Sequence, residues 1–453
     1  MTNTESYIFL PLAALILICG AVYSFRTRFI QMRGLACGLK LTFGSSGSVS
    51  DKDGAAIAPF RALCTSLSAT IGTGNIVGVS AALTTGGPGA LFWMWAAAFF
   101  GMAVKYAEAF LAVKFRETRS GQIIGGPFFY ISKAFSDSRA ARTGAKLFAF
   151  FGACAALFGI GCAAQSNSVA VAAQNIFDQK CLSFVYIFGE CVPTVRLVSG
   201  LIVAAAGYAI FSGGIKRIGA FSAAAVPVMG GLYILASVAV IIMNREAIPA
   251  AFSLIFKSAF TPAAAAGGFG GALVRDAVAK GITRGIFANE AGLGSTPIAA
   301  AAGSATPGEQ GLVSMSGTLF DTFIVCTLTG LCVLITGAWT QGLYGFDVTL
   351  FAFTGTLGEM GRLLLSSCLA LFAFTSIIGW NYYGERCFSF LSNGRWKKAF
   401  NAAFSALLFV GALMTTKNAF FLADILNALM ALPNLSALLI LALNDKLYRK
   451  TGL

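Results

Sequence analysis

Histidine is absent from all 453 residues, which removes histidine as a general base, metal ligand or proton relay near neutral pH. Charge is scarce: 11% of residues are charged, against roughly 25% in soluble domains. No CxxC pair occurs, and most of the 11 cysteines (Cys19, Cys64, Cys154, Cys162, Cys326, Cys332 and Cys368) fall within apolar stretches, where they behave as small hydrophobes. Cys181 and Cys191 lie together in a more polar stretch, and spacing alone does not show whether they are bridged. With no metal constellation and no nucleophile elbow, a membrane-embedded enzyme is disfavoured.

What the chain has in abundance is apolar length. It is 57% hydrophobic, with a mean hydropathy of +0.78. Stretches of about 20 apolar residues read as membrane spans. They fall near Tyr7–Phe25, Ala56–Leu83, Gly89–Phe115, Leu147–Phe177, Leu197–Phe211, Ile218–Met243, Ala263–Ala288, Leu312–Trp339, Arg362–Leu391, Phe400–Met414 and Phe420–Leu443. The expectation is an all-α polytopic membrane protein of about 11 transmembrane helices. The first is expected to be a retained helix, because MTNTES carries no positive charge and no small-residue cleavage site precedes SFRTRFIQMR.

A net charge of +14 could signal nucleic acid, but the basic residues follow topology. With the N-terminus outside and the C-terminus inside, the inner loops collect Arg26, Arg28, Arg33, Lys40, Lys52, Arg61 and the run from Lys114 to Lys146. They also collect Lys216, Arg217, Arg275, Lys280, Arg284, Arg386, Arg395, Lys397, Lys398 and the tail Lys446, Arg449 and Lys450. The outer loops hold only Lys180, Arg196, Arg245 and Lys417. The basicity therefore reports orientation in a cell membrane, and no nucleic-acid partner is expected.

Two spans are interrupted by glycine. SLSATIGTGNIVGV, Ser66 to Val79, carries Gly72, Gly74 and Asn75 where a membrane helix should stay regular, and AAAAGGFGGALV brackets Phe269 with four glycines. Each interruption opens a block of five spans, the pattern of an inverted-repeat transporter with its site at the bilayer midplane. The expected units are a peripheral helix and basic inner loop over 1–55, one five-helix repeat over 56–245, a second over 246–445, and a basic inner tail over 446–453. A broken helix presents amide donors on one side and free carbonyls on the other, so one break can hold both an anion and a hard cation. Side chains should be absent where backbone meets ligand, which makes Gly74 a position of interest. An ion channel is disfavoured, because nothing reads as a filter repeated around a symmetric pore.

SLSATIGTGNIVGVSAALTTGGPGALFWMW, the stretch GGPFFYI at Gly125–Ile131, RGIFANEAGLGSTPIAAAA at Arg284–Ala302 and FTSIIGWNYYGERC at Phe374–Cys387 together resemble the alanine or glycine:cation symporter family. The resemblance spans most of the chain. It implies the leucine-transporter fold, a five-plus-five inverted repeat with one extra N-terminal helix, and Na+-coupled uptake of small neutral amino acids such as L-alanine and glycine, with D-alanine also in range. It places the backbone of Thr73, Gly74 and Asn75 around the substrate carboxylate, Gln165 facing the substrate, and Phe269 and Trp380 as an apolar lid. For Na+ it implies the carbonyls of Ser68, Ile71 and Phe372 with the hydroxyls of Thr375 and Ser376, a set of neutral oxygens. The alternatives are a related symporter for serine or glutamine, or one driven by H+.

Charges inside spans are functional candidates by default. Lys105 and Glu108, three apart on one helix face, read as a local ion pair. Asp321 in LFDTFIV could contact an ion or a helix end, and Asp424 in FLADILNALM a gate or a packing polar group. ANEAGLGSTP reads as an inner loop between the seventh and eighth spans, its Asn289, Glu290, Gly292 and Gly294 suiting a gate or a helix start and equally suiting packing.

Overall fold

The computed structural model describes residues 3–44, 56–119, 122–135, 138–187, 190–260 and 274–453. In chain order the principal helices are α1 (Asn3–Arg26), α2 (Leu35–Gly44), α3 (Pro59–Thr70), α4 (Val79–Gly86), α5 (Ala90–Lys114), α6 (Arg139–Phe158), α7 (Ala163–Phe177), α8 (Thr194–Phe211) and α9 (Gly214–Met243). There follow α10 (Ile248–Phe260), α11 (Val274–Asn289), α12 (Pro307–Thr318), α13 (Thr327–Ile335), α14 (Phe346–Leu391), α15 (Lys397–Leu413) and α16 (Thr416–Leu443). Two π-helical segments, Gly74–Gly78 and Leu319–Cys326, run into α4 and α13 respectively. Antiparallel hairpins β1 (Glu117–Arg119) with β2 (Gln122–Ile124), and β3 (Phe184–Ile187) with β4 (Glu190–Pro193), fill two connections.

Local chemistry sets the helix ends. Pro59 and Pro307 stand at first-turn positions, where a missing amide costs nothing. Thr306 and Glu309 close a capping box ahead of α12, and α14 is interrupted at Gly358, whose φ of 60° a side chain would resist.

Helix α5 lies at the centre because its neighbours expose glycine to it. A Cβ on Gly281 would sit 2.8 Å from Trp93 Cβ, one on Gly285 3.1 Å from Met94 Cα, and one on Gly311 2.8 Å from the Tyr106 ring. α11 and α12 thus approach α5 at near-backbone distance, the small-residue packing of membrane helices. α8 and α9 lie outside. Their apolar windows are only 28% and 33% buried, against 72% for α5, and Leu201, Ile202, Val228, Leu235 and Ile242 are exposed. Such a belt of exposed apolar side chains on long helices suits lipid, not water.

Among the described residues, seven helical stretches are long and apolar enough to cross a membrane, eight if the pair bent by 52° at Ile71–Thr73 is one span. The other expected spans take different forms. The first is a helix whose described apolar part is short, the tenth is the 17-residue α15, and of the seventh only the part in α11 is described, with 261–273, including Phe269 and the GGFGG motif, outside the described residues.

Candidate functional site

At the end of α3 the helix stops because its next amide is captured from the side. In a continuous helix the Gly72 N–H would donate to the Ser68 carbonyl; here it donates to Asn75 Oδ1 at 3.0 Å. The chain then resumes in the widened turn that starts at Gly74. Asn75 is engaged through every polar group. Its N–H donates to the Gly72 carbonyl at 3.2 Å, its Nδ2 to Asp321 Oδ1 at 2.5 Å, and its carbonyl accepts from Thr329 Oγ1 at 2.8 Å. Asp321 also accepts from Thr322 Oγ1 at 2.9 Å. The two π-helical segments are therefore stitched together across 246 residues of sequence. π turns cluster at functional sites.

The opposite wall of the break is α14. A Cβ built on Gly72 would overlap Ser376 Oγ and lie 3.5 Å from Gln165 Nε2, and one on Gly379 would lie 3.0 Å from Ser68 Oγ. Gly72, Gln165, Ser68 and Ser376 thus converge from α3, α7 and α14. Several polar atoms here are buried without a hydrogen-bond partner: Thr70 Oγ1, Thr73 Oγ1, Gln165 Oε1 and Ser376 Oγ. Buried polar atoms are nearly always paired, so orphans gathered around one helix break fit a polar ligand that completes them. Thr375 differs from its neighbour, since its hydroxyl donates back to the Phe372 carbonyl at 3.0 Å and lies 3.2 Å from Met229 Sδ. Ile71 and Phe372 are buried in the apolar cluster beside the break, with the Phe372 ring 5.3 Å from that of Tyr233.

A side chain at Gly74 would point away from this space. A Cβ there would meet Ala288 Cα at 3.4 Å, an ordinary contact with α11, so packing explains the glycine as well as ligand contact does. Trp380, one turn beyond Ser376, is fully buried and donates from Nε1 to Glu290 Oε1 at 2.9 Å. Glu290 Oε2 accepts from Ser295 Oγ at 2.5 Å.

ANEAGLGSTP is not a solvent-facing loop. Asn289 to Pro297 are all buried, with Gly292 and Gly294 at φ 81° packing against Leu435 and Phe148. Left-handed turns fold the segment inward, and groups from other helices, Glu108, Thr322, Trp380 and Asn434, take up part of its polar atoms. Nor are Lys105 and Glu108 a local pair. Glu108 accepts from Asn434 Nδ2 at 2.6 Å and the Gly292 amide at 3.4 Å. Asp424 forms an ion pair with Arg284 at 3.1 Å. Asp321 had a sequence signal, an acid within an apolar run, and Asn75 had its own at the helix break, but nothing in the sequence pairs them, because the contact is long-range. Among the described residues no three Cys, Asp or Glu side chains come close enough to hold a metal ion.

The family model described as the sodium:alanine symporter family matches residues 1–448. An uncharacterised transporter of Haemophilus influenzae is 45% identical over 95% of this chain and 90% of its own length. The sodium/alanine symporter AgcS of Methanococcus maripaludis is 42% identical over 98% of this chain and 94% of its own. The probable sodium/glutamine symporter GlnT of Bacillus subtilis is 35% identical over 95% and 85%. A broken helix facing a polar helix wall, membrane-length apolar helices and a match along nearly the whole sequence agree: this chain belongs to the sodium:alanine symporter family.

Proposed function

We propose that the protein imports a small neutral amino acid, with alanine and glycine preferred, by symport with Na+ through alternating access around the break at Ile71–Gly74. The observation that carries this reading is the convergence on Gly72 of Ser376 Oγ and Gln165, whose Oγ and Oε1 are buried without partners. The substrate carboxylate would rest on the amides of Thr73 and Gly74, since the Asn75 amide is already used on Gly72. Gln165 would face the substrate ammonium or carboxylate edge, and Trp380, fixed by Glu290, would cap the apolar side with Phe269. Na+ would be held by the carbonyls of Ser68, Ile71 and Phe372 and by Ser376, with Thr375 joining once its hydroxyl turns from Phe372. Capture of the Gly72 amide by Asn75 supports the Ser68 carbonyl in this role, because its helical donor is diverted.

The architecture we infer is a peripheral α1 followed by two inverted five-helix repeats, over 56–245 and 246–445. Supporting this, α3 with α4 is an interrupted helix that opens the first block, and each block carries a long apolar stretch, α5 in the first and α12 with α13 in the second. The distribution of Lys and Arg supports an inner C-terminus.

Counterflow of labelled alanine in liposomes with and without Na+ tests the function. Exchange that needs Na+ supports it, and exchange equal in choline or driven by a pH gradient overturns Na+ coupling. Competition by serine or glutamine ranks the alternatives, glutamine because a relative carries that name.

A further inference from the structure

Away from the break, the helices leave a cavity of about 400 Å³ where two connections meet, the corner between α8 and α9 and the corner between α14 and α15. Its wall carries four cationic side chains, Lys216, Arg386, Lys397 and Lys398, against one carboxylate, Glu385. Lys397 lies 3.5 Å from Glu385, which answers one of the four charges. Among the described residues neither Lys216 nor Lys398 has an acidic partner.

Two buried side chains give the wall a fixed shape. Arg386 is 4% exposed, and its guanidinium lies 5.0 Å from the centre of the Tyr382 ring, which holds it in place. Asn401, 8% exposed, spends its Oδ1 on Asn381 Nδ2 at 3.3 Å, so the end it keeps for the cavity is the donating Nδ2. Arg217, the neighbour of Lys216, is used elsewhere: its Nη1 donates to the Ala209 carbonyl at 2.7 Å and closes the end of α8. Lys216 has no such duty. Helices α9 and α15 both begin at the cavity wall, and no side chain caps either first turn, so their open amides add to the positive field there.

Such a wall suits a phosphate group, which accepts from several directions at once, pairs with a guanidinium through two oxygens and takes lysine as a point charge. The volume is far larger than a chloride needs. Apolar side chains are exposed on the helices leading away from the cavity, Leu201, Ile202 and Tyr208 on α8 and Val410 on α15, so acyl chains have a surface to follow.

We propose that this cavity binds a phosphate group, the chemistry shared by an anionic phospholipid headgroup and free inorganic phosphate. Bound there, it ties together two corners whose lysines otherwise repel. One of them leads to the break, because α9 reaches it where Ser222 Oγ donates to Ser68 Oγ at 3.2 Å.

The test melts delipidated full-length protein in detergent against rising dioctanoyl phosphatidylglycerol, against dioctanoyl phosphatidylcholine, whose choline cancels the charge, and against sodium phosphate balanced with sodium chloride. Phosphatidylglycerol or phosphate is expected to raise the melting temperature saturably, and phosphatidylcholine is not. Lys216 and Lys398 are exposed, so Lys216→Gln with Lys398→Gln should fold. Its half-maximal concentration should rise about 30-fold, each basic side chain at a lipid surface contributing about fivefold. Arg142→Gln with Lys146→Gln removes two exposed charges from α6 and should keep the wild-type value. A response to the lipid alone assigns the site to a headgroup, and a response to phosphate with the same dependence on Lys216 and Lys398 assigns it to the free ion. No response to either, a response equal in phosphatidylcholine, an unchanged midpoint in the Lys216 and Lys398 variant, or an equal loss in the α6 variant overturns the proposal.

Discussion

Alanine placed at Gly72 and at Gly74 should fail in different ways, although the positions are two apart on the same broken turn. At Gly72 the new methyl overlaps Ser376 Oγ and stands 3.4 Å from Ser376 Cβ and 3.5 Å from Gln165 Nε2. A serine hydroxyl can rotate away, so the ligand-free protein should lose only about 1 kcal/mol, the low end for overpacking. The methyl then lies between the two groups that converge on the break, and binding should suffer far more than folding. At Gly74 the methyl meets Ala288 at ordinary contact distance inside a helical turn, so stability should rise by up to about 1 kcal/mol, with ligand response retained. Alanine at about 100 times its dissociation constant stabilises the wild type by about 2.7 kcal/mol. Unfolding entropy of about 2.1 cal/mol/K per residue, summed over 453 residues, converts this to a melting shift of about 3 °C. A differential melt in detergent, with Na+ present and with alanine varied, reads the shift directly. Gly72→Ala is expected to melt within about 1 °C of the wild type without alanine and to show almost none of the shift with it. A Gly72→Ala protein that shifts fully, or a Gly74→Ala protein that loses the shift, refutes this placement of the site.

Ser376→Ala should raise the Na+ concentration needed for half-maximal uptake, and adding Thr375→Ala should raise it further, since the Thr375 hydroxyl is bonded to Phe372 and Ser376 Oγ is not bonded; unchanged Na+ dependence in the double variant removes both from the ion set. Cys181 and Cys191 are free and exposed, and Cys191 stands opposite Tyr186 in the β3–β4 hairpin, so maleimide should label both without reductant. Labelling that waits for reductant would show a bridge. Asp424→Ala leaves the mostly buried Arg284 without this carboxylate and should cost about 3–5 kcal/mol, the loss typical of a broken buried pair, measured as reduced survival on heating in detergent.

The break at IGTGN was legible because glycine and asparagine contradict an otherwise apolar helical run, and no compensating pattern nearby excuses them. What stops the helix was not legible, because the capture of the Gly72 amide by Asn75 depends on a side-chain direction that the letters do not carry. Spacing misled at Lys105 and Glu108. Three residues apart places them on one face, yet Asn434 and Gly292, far away in sequence, satisfy the carboxylate first. ANEAGLGSTP left its role open for a related reason, since polar and glycine-rich composition signals a turn but does not say whether the turn faces water or, as here, packs on Leu435 and Phe148. Span counting worked where helices are continuous and blurred where a span is bent, as at Ile71–Thr73, or short, as in α15.

The facing π turns at Gly74–Gly78 and Leu319–Cys326 have a mechanical consequence. A π turn is an α-helix carrying one residue too many, and that surplus can migrate along the helix as backbone bonds exchange partners. Moving it past a residue rotates that residue by about 100° and advances it by about 1.5 Å, while both ends of the helix stay put. Asn75 sits on such slack in one helix and Asp321 in the other, with Thr329 just beyond the second π turn. The grip between them can therefore be released by a twist stored in the backbone, like play in a pair of meshed gears, without either helix having to bend or to pull away from its neighbours.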